Sequence, residues 1–206
     1  MLVENSFSQY PVRVVVVMGV SGCGKTTIGK QLACALDDAP FIDADTLHPP
    51  QNIEKMANGI ALSDSDRWPW LRRVHEEFDT QASQLLKARG TKHLEQPLYV
   101  VCGCSALKRS YRELLSRSNS DVSDVNRIYD TLFAFIDVDR QELLRRVAQR
   151  PNHFFDPALL DTQLSTLEPP DTAREAAIIV DGDRAADRVV EDACYQIRKY
   201  RAIVSQ

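Results

Sequence analysis

The chain has 206 residues, 44% of them hydrophobic, and carries a net charge of −4 at neutral pH. That length suits one domain spanning 1–206 with an ample core, and mild acidity without a long basic block speaks against a nucleic-acid partner. The longest apolar runs are strand-length, so no membrane partner is expected, and the start lacks the charged-then-apolar pattern of a secretory signal.

In chain order, residues Met1–Pro11 mix polar and apolar types and read as a loose leader. The β-branched run Val12–Met18 predicts a buried strand, and Thr26–Leu36 a helix. Phe41 and Ile42 lead into a short strand ending at Asp43, and Gln51–Asn58 is a short helix stopped by Gly59. A longer helix is expected over Trp68–Ala88, with Asp66 as its cap and Pro69 in its first turn. Leu98–Cys102 reads as a strand, Ala106–Arg117 as a helix, and polar Ser118–Asn126 as a surface loop. Leu132–Asp137 predicts a strand, Arg140–Arg150 a helix, and Leu159–Ser165 a helix between proline-rich flanks. The last strand is Ala177–Val180 and the last helix Ala185–Arg201. Repeated strand–helix units predict an α/β fold: a parallel sheet flanked by helices on both faces. Ligands of such sheets gather at the carboxyl ends of the strands. Gly19, Asp43, Gly103 and Asp137 fall at those ends.

The segment Gly19-Val20-Ser21-Gly22-Cys23-Gly24-Lys25-Thr26 follows the first strand and opens the first helix. Strand, glycine loop and helix in that order is the setting of a phosphate-binding loop. Glycines at 19, 22 and 24 allow successive N–H groups to turn inward at an anion, and the helix adds its positive end. Lys25 is placed to reach the β- and γ-phosphates, and Thr26 to offer a hydroxyl to Mg²⁺. Gly19 through Thr26, with Thr27 beside it, form the expected ATP-binding stretch. Five cysteines, an odd number, suggest reduced thiols and no disulfide framework. Cys102 and Cys104 lack the second Cys/His pair that a metal site needs. Cys23 is the thiol whose oxidation would block the loop.

Four polar clusters narrow the chemistry. Asp43-Ala44-Asp45 puts two carboxylates at one strand end, one suited to hold Mg²⁺ through water and the other to orient or deprotonate a substrate hydroxyl. An Asp-rich helix-capping turn is the plain alternative. Arg67, beside Asp64 and Asp66, is a clamp for a carboxylate or phosphate. Lys108, Arg109 and Arg112 sit on the first turns of a predicted helix, where the macrodipole disfavours cations; an anionic ligand or a solvated basic face both account for them. Arg146 and Arg150 share a helix face, and about 140–170 reads as a mobile helical lid whose arginines neutralise a transferring phosphoryl group. Asp137 also follows an apolar run, yet Asp43 is preferred as the metal partner because it closes the earlier strand beside Asp45.

The strings Asp-Ala-Asp-Thr-Leu-His-Pro from 43, Asn-Ile-Glu-Lys-Met-Ala-Asn-Gly from 52, Leu-Ser-Asp-Ser-Asp-Arg-Trp-Pro-Trp-Leu from 62, Cys-Ser-Ala-Leu-Lys-Arg-Ser-Tyr-Arg from 104 and His-Phe-Phe from 153 come in order after the loop. Together they resemble the gluconokinases, phosphate-loop kinases related to shikimate kinases. The resemblance runs from about Val14 to the C-terminal helix. It implies ATP-dependent phosphorylation of D-gluconate to 6-phospho-D-gluconate for the pentose phosphate route. It also implies Mg²⁺, a cytoplasmic setting and, commonly, a homodimer. By resemblance, Asp45, His48, Lys55, Arg67 and Arg112 line the gluconate site, with Lys108 from the basic cluster beside them. Arg146 and Arg150 belong to the cover and His153 lies near its hinge. Lys25, Asp45, Arg146 and Arg150 are the expected catalytic set, with Thr26 and Asp43 at the metal.

Three positions depart from the family pattern: Ala44 where glycine is usual, Ala61 where proline is common, and Thr162 where serine precedes the glutamine. Ala44 costs energy only if its φ must be positive. Two rival readings stand beside this one. A shikimate-kinase-like enzyme also carries paired aspartates, but its glycine triplet is here Cys102-Gly103-Cys104-Ser105. A non-catalytic nucleotide switch is weakened by the absence of any Asn-Lys-x-Asp sequence.

Overall fold

A computed structural model describes residues 10–89, 97–116, 128–149 and 157–200. Among these residues five strands form one parallel sheet: β1 (Val12–Met18), β2 (Phe41–Asp43), β3 (Leu98–Gly103), β4 (Tyr129–Asp137) and β5 (Ala177–Asp181), in the spatial order β2-β3-β1-β4-β5. The helices are α1 (Lys25–Ala35), α2 (Pro50–Ala57), α3 (Asp64–Arg89), α4 (Arg109–Ser116), α5 (Arg140–Ala148), α6 (Pro157–Thr166) and α7 (Ala186–Lys199), with a 3-10 turn over Ala44–Leu47. Strand side chains alternate between faces, and β1 is buried on both. Val15 and Val17 join a cluster containing Ile28 and Leu32 of α1 and Val189 and Ala193 of α7. Val14, Val16 and Met18 join the opposite cluster with Trp70, Leu71 and Phe78 of α3 and Leu115 of α4. A strand covered on both sides needs a continuous apolar run, and this is why β1 reads Val-Val-Val-Val-Met. Strand order reverses at β1, which pairs with β3 on one side and β4 on the other. The glycine loop therefore leaves the sheet at its switch point.

Two element boundaries differ from the sequence expectation. Helix α3 begins at Asp64, a full turn early, because Ser63 and Asp66 exchange capping bonds. Ser63 N donates to Asp66 Oδ2 at 2.9 Å and Asp66 N to Ser63 Oγ at 3.4 Å. Asp66 thus reaches back to the residue three before it and does not itself start the helix. Pro69 lies inside α3 and not in its first turn, where its ring removes one ladder bond from an otherwise long helix. Helix α4 begins at Arg109 because Ala106 takes a left-handed φ of 44°. The expected helix start at Ala106 is thus a loop, and Lys108 precedes the first turn. Pro11, expected in the leader, is tied to the sheet, its carbonyl accepting from Leu98 N at 2.9 Å, and residues 1–9 lie outside the described residues. The expected loop Ser118–Asn126 lies outside the described residues.

Candidate active site

The site forms at the carboxyl edge of the sheet, where Asp43 pairs in register with Gly103, and Gly103 with Val17. Gly19, Gly22 and Gly24 have φ of 144°, 90° and 98°, the left-handed region closed to most side chains. Space forbids substitution as well as φ. A Cβ on Gly22 would lie 2.8 Å from Val147 Cγ2 of α5. Gly24 leads straight into α1, and Thr26 and Thr27 are exposed at its N-terminus. Lys25 folds back, its Nζ donating to Gly19 O and Val20 O at 3.1 Å each. Cys23 is fully buried beneath the loop. Ser21 N donates to Gln163 Oε1 at 2.7 Å, tying α6 to the loop.

Asp43 ends β2 and divides its carboxylate. Oδ1 accepts from Asp45 N at 3.2 Å and caps the 3-10 turn, while Oδ2 lies 3.5 Å from Thr26 Oγ1. The cap swings Asp45 out at the cleft edge, where it is exposed. Two hard oxygens, one at a helix N-terminus beside the phosphate loop, are a donor set suited to Mg²⁺. Asp137, by contrast, ends β4 opposite Asp181.

Ala44 sits between the two aspartates in helical geometry, and it is not among the residues with positive φ. Its methyl is fully buried in the cluster around Trp70, whose indole Nε1 donates to Ala44 O at 2.7 Å. Alanine here fills space at no backbone cost. Ala44→Gly is expected to lower stability by about 1 kcal/mol, through lost burial and added unfolded-state freedom. A urea melt reads this directly, and an unchanged midpoint would contradict the packing account.

His48 follows the turn and stacks on Trp70, ring centroids 4.1 Å apart at 15°. Burial, with the positive charge of Arg67 second, lowers its pKa to about 4, so the ring is neutral near pH 7. Arg67 projects from the first turns of α3. Its Nε donates to Leu62 O at 3.4 Å, its guanidinium stands 6.0 Å from the Tyr111 ring centroid, and its terminal nitrogens have no hydrogen-bond partner among the described residues. Its charge is felt at His48, Asp64, Cys104 and Tyr111, which places it centrally among these groups. Cys102 and Cys104 are fully buried. Burial pushes the Cys104 thiol up to about 12 and Cys102 well above its usual range, so both remain thiols.

Other expected ligands are committed elsewhere. Lys55 Nζ contacts Asp66 Oδ1 at 2.7 Å, a bond that holds α2 to α3 and, with Ser63, keeps the Asp66 carboxyl well below its usual range. Lys108 Nζ lies 2.8 Å from both Asp64 oxygens, one of which also accepts from Tyr111 Oη at 2.5 Å. Arg112 is a correction. It is 1% exposed and donates to Glu175, Ala106 O, Leu107 O and Glu168 O, so it braces the loop behind the site and does not face a ligand. Arg146 donates to Glu142 at 2.6 Å and to Gly182 O at 2.8 Å. Within the stretch expected to form a lid, α5 and α6 pack on the loop, Leu143 and Leu160 sharing a cluster with Val20. Arg150 and His153 lie outside the described residues.

Asn52 and Gln163 are two contributors that sequence reasoning does not single out. Asn52 is four residues from His48, the spacing of one helical face, and that is its only signal. Nothing local points to Gln163.

Comparison with known proteins agrees with this geometry. The family profile described as shikimate kinase matches residues 21–197. A probable gluconokinase of Xenopus tropicalis is 40% identical over 190 residues, covering 87% of this chain and 90% of that protein. The gluconokinase of Gluconobacter oxydans is also 40% identical, covering 92% of each. Among solved structures, a gluconokinase from Sinorhizobium meliloti 1021 superposes with a TM-score of 0.70 at 36% identity, over 92% of this chain and 95% of that one.

Proposed function

We propose, from the premise that this chain belongs to the gluconokinases within the shikimate kinase family, that it transfers the γ-phosphoryl group of ATP to the terminal hydroxyl of D-gluconate, giving 6-phospho-D-gluconate. The observation that carries this is the placement of the phosphate loop, the Asp43–Asp45 turn and Arg67 at one edge of the sheet. A polyol carboxylate needs cations for its acid group and acceptors for its hydroxyls. Arg67 supplies the first, with terminal nitrogens that have no hydrogen-bond partner among the described residues, and Asp45 the second. Shikimate as acceptor is not favoured, because the relatives at about 40% identity are gluconokinases.

In this mechanism the N–H groups of Gly19–Thr27 hold the triphosphate, and Lys25 leaves the carbonyls of Gly19 and Val20 to reach the β- and γ-oxygens. Thr26 and Asp43 would hold Mg²⁺, which neutralises phosphate charge when bound with ATP. Asp45 orients the terminal hydroxyl of gluconate and accepts its proton as the new O–P bond forms and the bond to the β,γ-bridging oxygen breaks. Arg67 binds the gluconate carboxylate and His48 contacts its hydroxyls, with Lys108 joining them on release from Asp64. Arg146, on leaving Glu142 and the Gly182 carbonyl, and Arg150 neutralise charge on the moving phosphoryl group. Among the described residues no helix is long and apolar enough to cross a membrane. A cytoplasmic setting and a homodimer belong to the same proposal and rest on the family resemblance.

The test is ADP release from Mg-ATP with and without D-gluconate. Strong dependence on gluconate is expected, and a panel of other sugar acids giving equal rates would refute the acceptor. Arg67→Ala is expected to raise KM for gluconate by about 10–100-fold, the worth of a charge-assisted hydrogen bond or pair. KM for ATP should stay within about twofold. A matched loss of ATP affinity would move Arg67 to the nucleotide.

A further inference from the structure

The interaction between α2 and His48 decides which proton the ring carries. Asn52 is 2% exposed, and its Nδ2 makes two contacts, 2.9 Å to the main-chain carbonyl of Asp66 and 3.2 Å to His48 Nδ1. A carbonyl oxygen only accepts, so the atom facing Asp66 O must be the amide nitrogen and not the amide oxygen. The second N–H of that nitrogen then points at His48 Nδ1, which has to be an unprotonated acceptor. The ring proton is left on Nε2. That atom has no hydrogen-bond partner among the described residues.

We infer that Asn52 is a positioning residue that holds His48 as a neutral imidazole with its proton on Nε2, so that the ring offers the sugar acid a hydrogen-bond donor and never a base. The inference extends the gluconate reading, since it takes His48 as a contact of the acceptor. Surrounding groups favour the same state. Stacking on Trp70 fixes the ring plane. The cation of Arg67 on α3 opposes a second proton. The nearby carboxylate of Asp66 is occupied by Lys55 of α2 and by Ser63. Asp45, on the preceding turn, meets His48 through its main-chain carbonyl, which accepts from His48 N at 3.5 Å. A neutral donor also leaves Asp45 as the sole general base of the site, so the two residues divide the hydroxyl chemistry between them.

The experiment is long-range ¹H–¹⁵N correlation of the histidine rings in the labelled full chain, with His48 assigned by its loss in His48→Phe. The expected wild-type spectrum has Nδ1 unprotonated and Nε2 protonated from about pH 8 to about pH 5. Saturating D-gluconate should shift the Nε2 proton and leave Nδ1 unchanged. In Asn52→Asp the new carboxylate accepts from a protonated Nδ1, so the titration should rise by about two pH units or more. KM for gluconate should then change at least about fivefold, with KM for ATP within about twofold. A wild-type ring protonated on Nδ1, or titrating near its ordinary value of about 6.5, overturns the inference. So does an unchanged gluconate KM in a variant whose tautomer has moved. If Asn52→Asp does not fold, the wild-type spectra decide alone. Failure of wild-type turnover with gluconate would sink the activity reading, while the tautomer of the free protein still reports on Asn52.

Discussion

Asp45→Asn is expected to lower gluconate-dependent kcat by about 10²–10⁴-fold, the usual worth of a positioned general base. The substitution keeps size and a hydrogen-bonding oxygen but removes the charge that accepts a proton. Asp45 is exposed in the 3-10 turn, and the turn is capped by Asp43, which accepts from the Asp45 main chain, so the cap is kept in the variant. KM for ATP should also stay near wild type, because the phosphate loop and the Thr26–Asp43 pair are untouched. Stopped assays of ADP and 6-phosphogluconate on the variant and wild type give both numbers. A kcat within about threefold of wild type would remove Asp45 as base and leave positioning and charge neutralisation to carry the reaction. Asp43→Asn is the informative contrast. It should weaken the metal-dependent step and the turn together, since one of its oxygens caps the backbone and the other faces Thr26.

The phosphate loop and its paired aspartates are readable in the sequence because each depends on neighbours in the chain. Glycines 19, 22 and 24 announce backbone that other residues cannot adopt, and the apolar run before them announces a doubly covered strand. Asp43 closes the short strand that Phe41 and Ile42 announce, and Asp45 follows two residues on in the turn. Fold class comes from the same local signals, repeated strand by strand. Features that depend on side-chain contacts and on distant segments are hidden. Asp66 has the sequence signature of a cap for the helix after it, yet it reaches back to Ser63 and α3 starts a turn earlier. Gln163 is 142 positions from the Ser21 amide it bonds. Arg112 and Arg67 look alike as arginines near helix starts. Only the packing distinguishes them, since one guanidinium is sealed at 1% exposure and the other is left with unpaired terminal nitrogens among the described residues. Ala44 shows the converse case: a departure from the family glycine that the backbone geometry makes harmless.

Arg112→Leu is expected to destabilise the protein by about 3–5 kcal/mol, the cost of leaving a buried ion pair half made. Arg112 is 1% exposed and its partner Glu175 is 12% exposed. Nε and Nη2 grip the two Glu175 oxygens at 2.6 and 3.0 Å, and Nη1 donates to Ala106 O, Leu107 O and Glu168 O. Removing the guanidinium leaves the Glu175 carboxylate without its counter-charge, held by the Asp171 amide at 3.1 Å, and relaxes the loop in which Ala106 holds its left-handed φ of 44°. That loop also accepts Gly19 N at Ser105 O, 3.3 Å away, so the phosphate loop loosens with it. The double variant Arg112→Leu/Glu175→Leu should recover part of the loss, because no charge is then stranded. The pair carries a pH signature. Burial, the largest single influence, would raise the Glu175 carboxyl, but the hydrogen bonds from Arg112 and the Asp171 main chain and the charges of Arg112 and Arg109 together outweigh it, and the net shift is downward. Its folded pKa thus lies below the unfolded one, so its contribution is full above about pH 4.5 and fades as pH falls through the lowered value. Urea melts of wild type and the double variant should therefore converge in acid and separate towards neutrality. A bracing role and a gluconate contact make opposite forecasts for Arg112→Leu. Bracing predicts lost stability with both Michaelis constants disturbed. A contact predicts an intact melt and a selective rise in the gluconate KM, and that second pattern would restore Arg112 to the substrate.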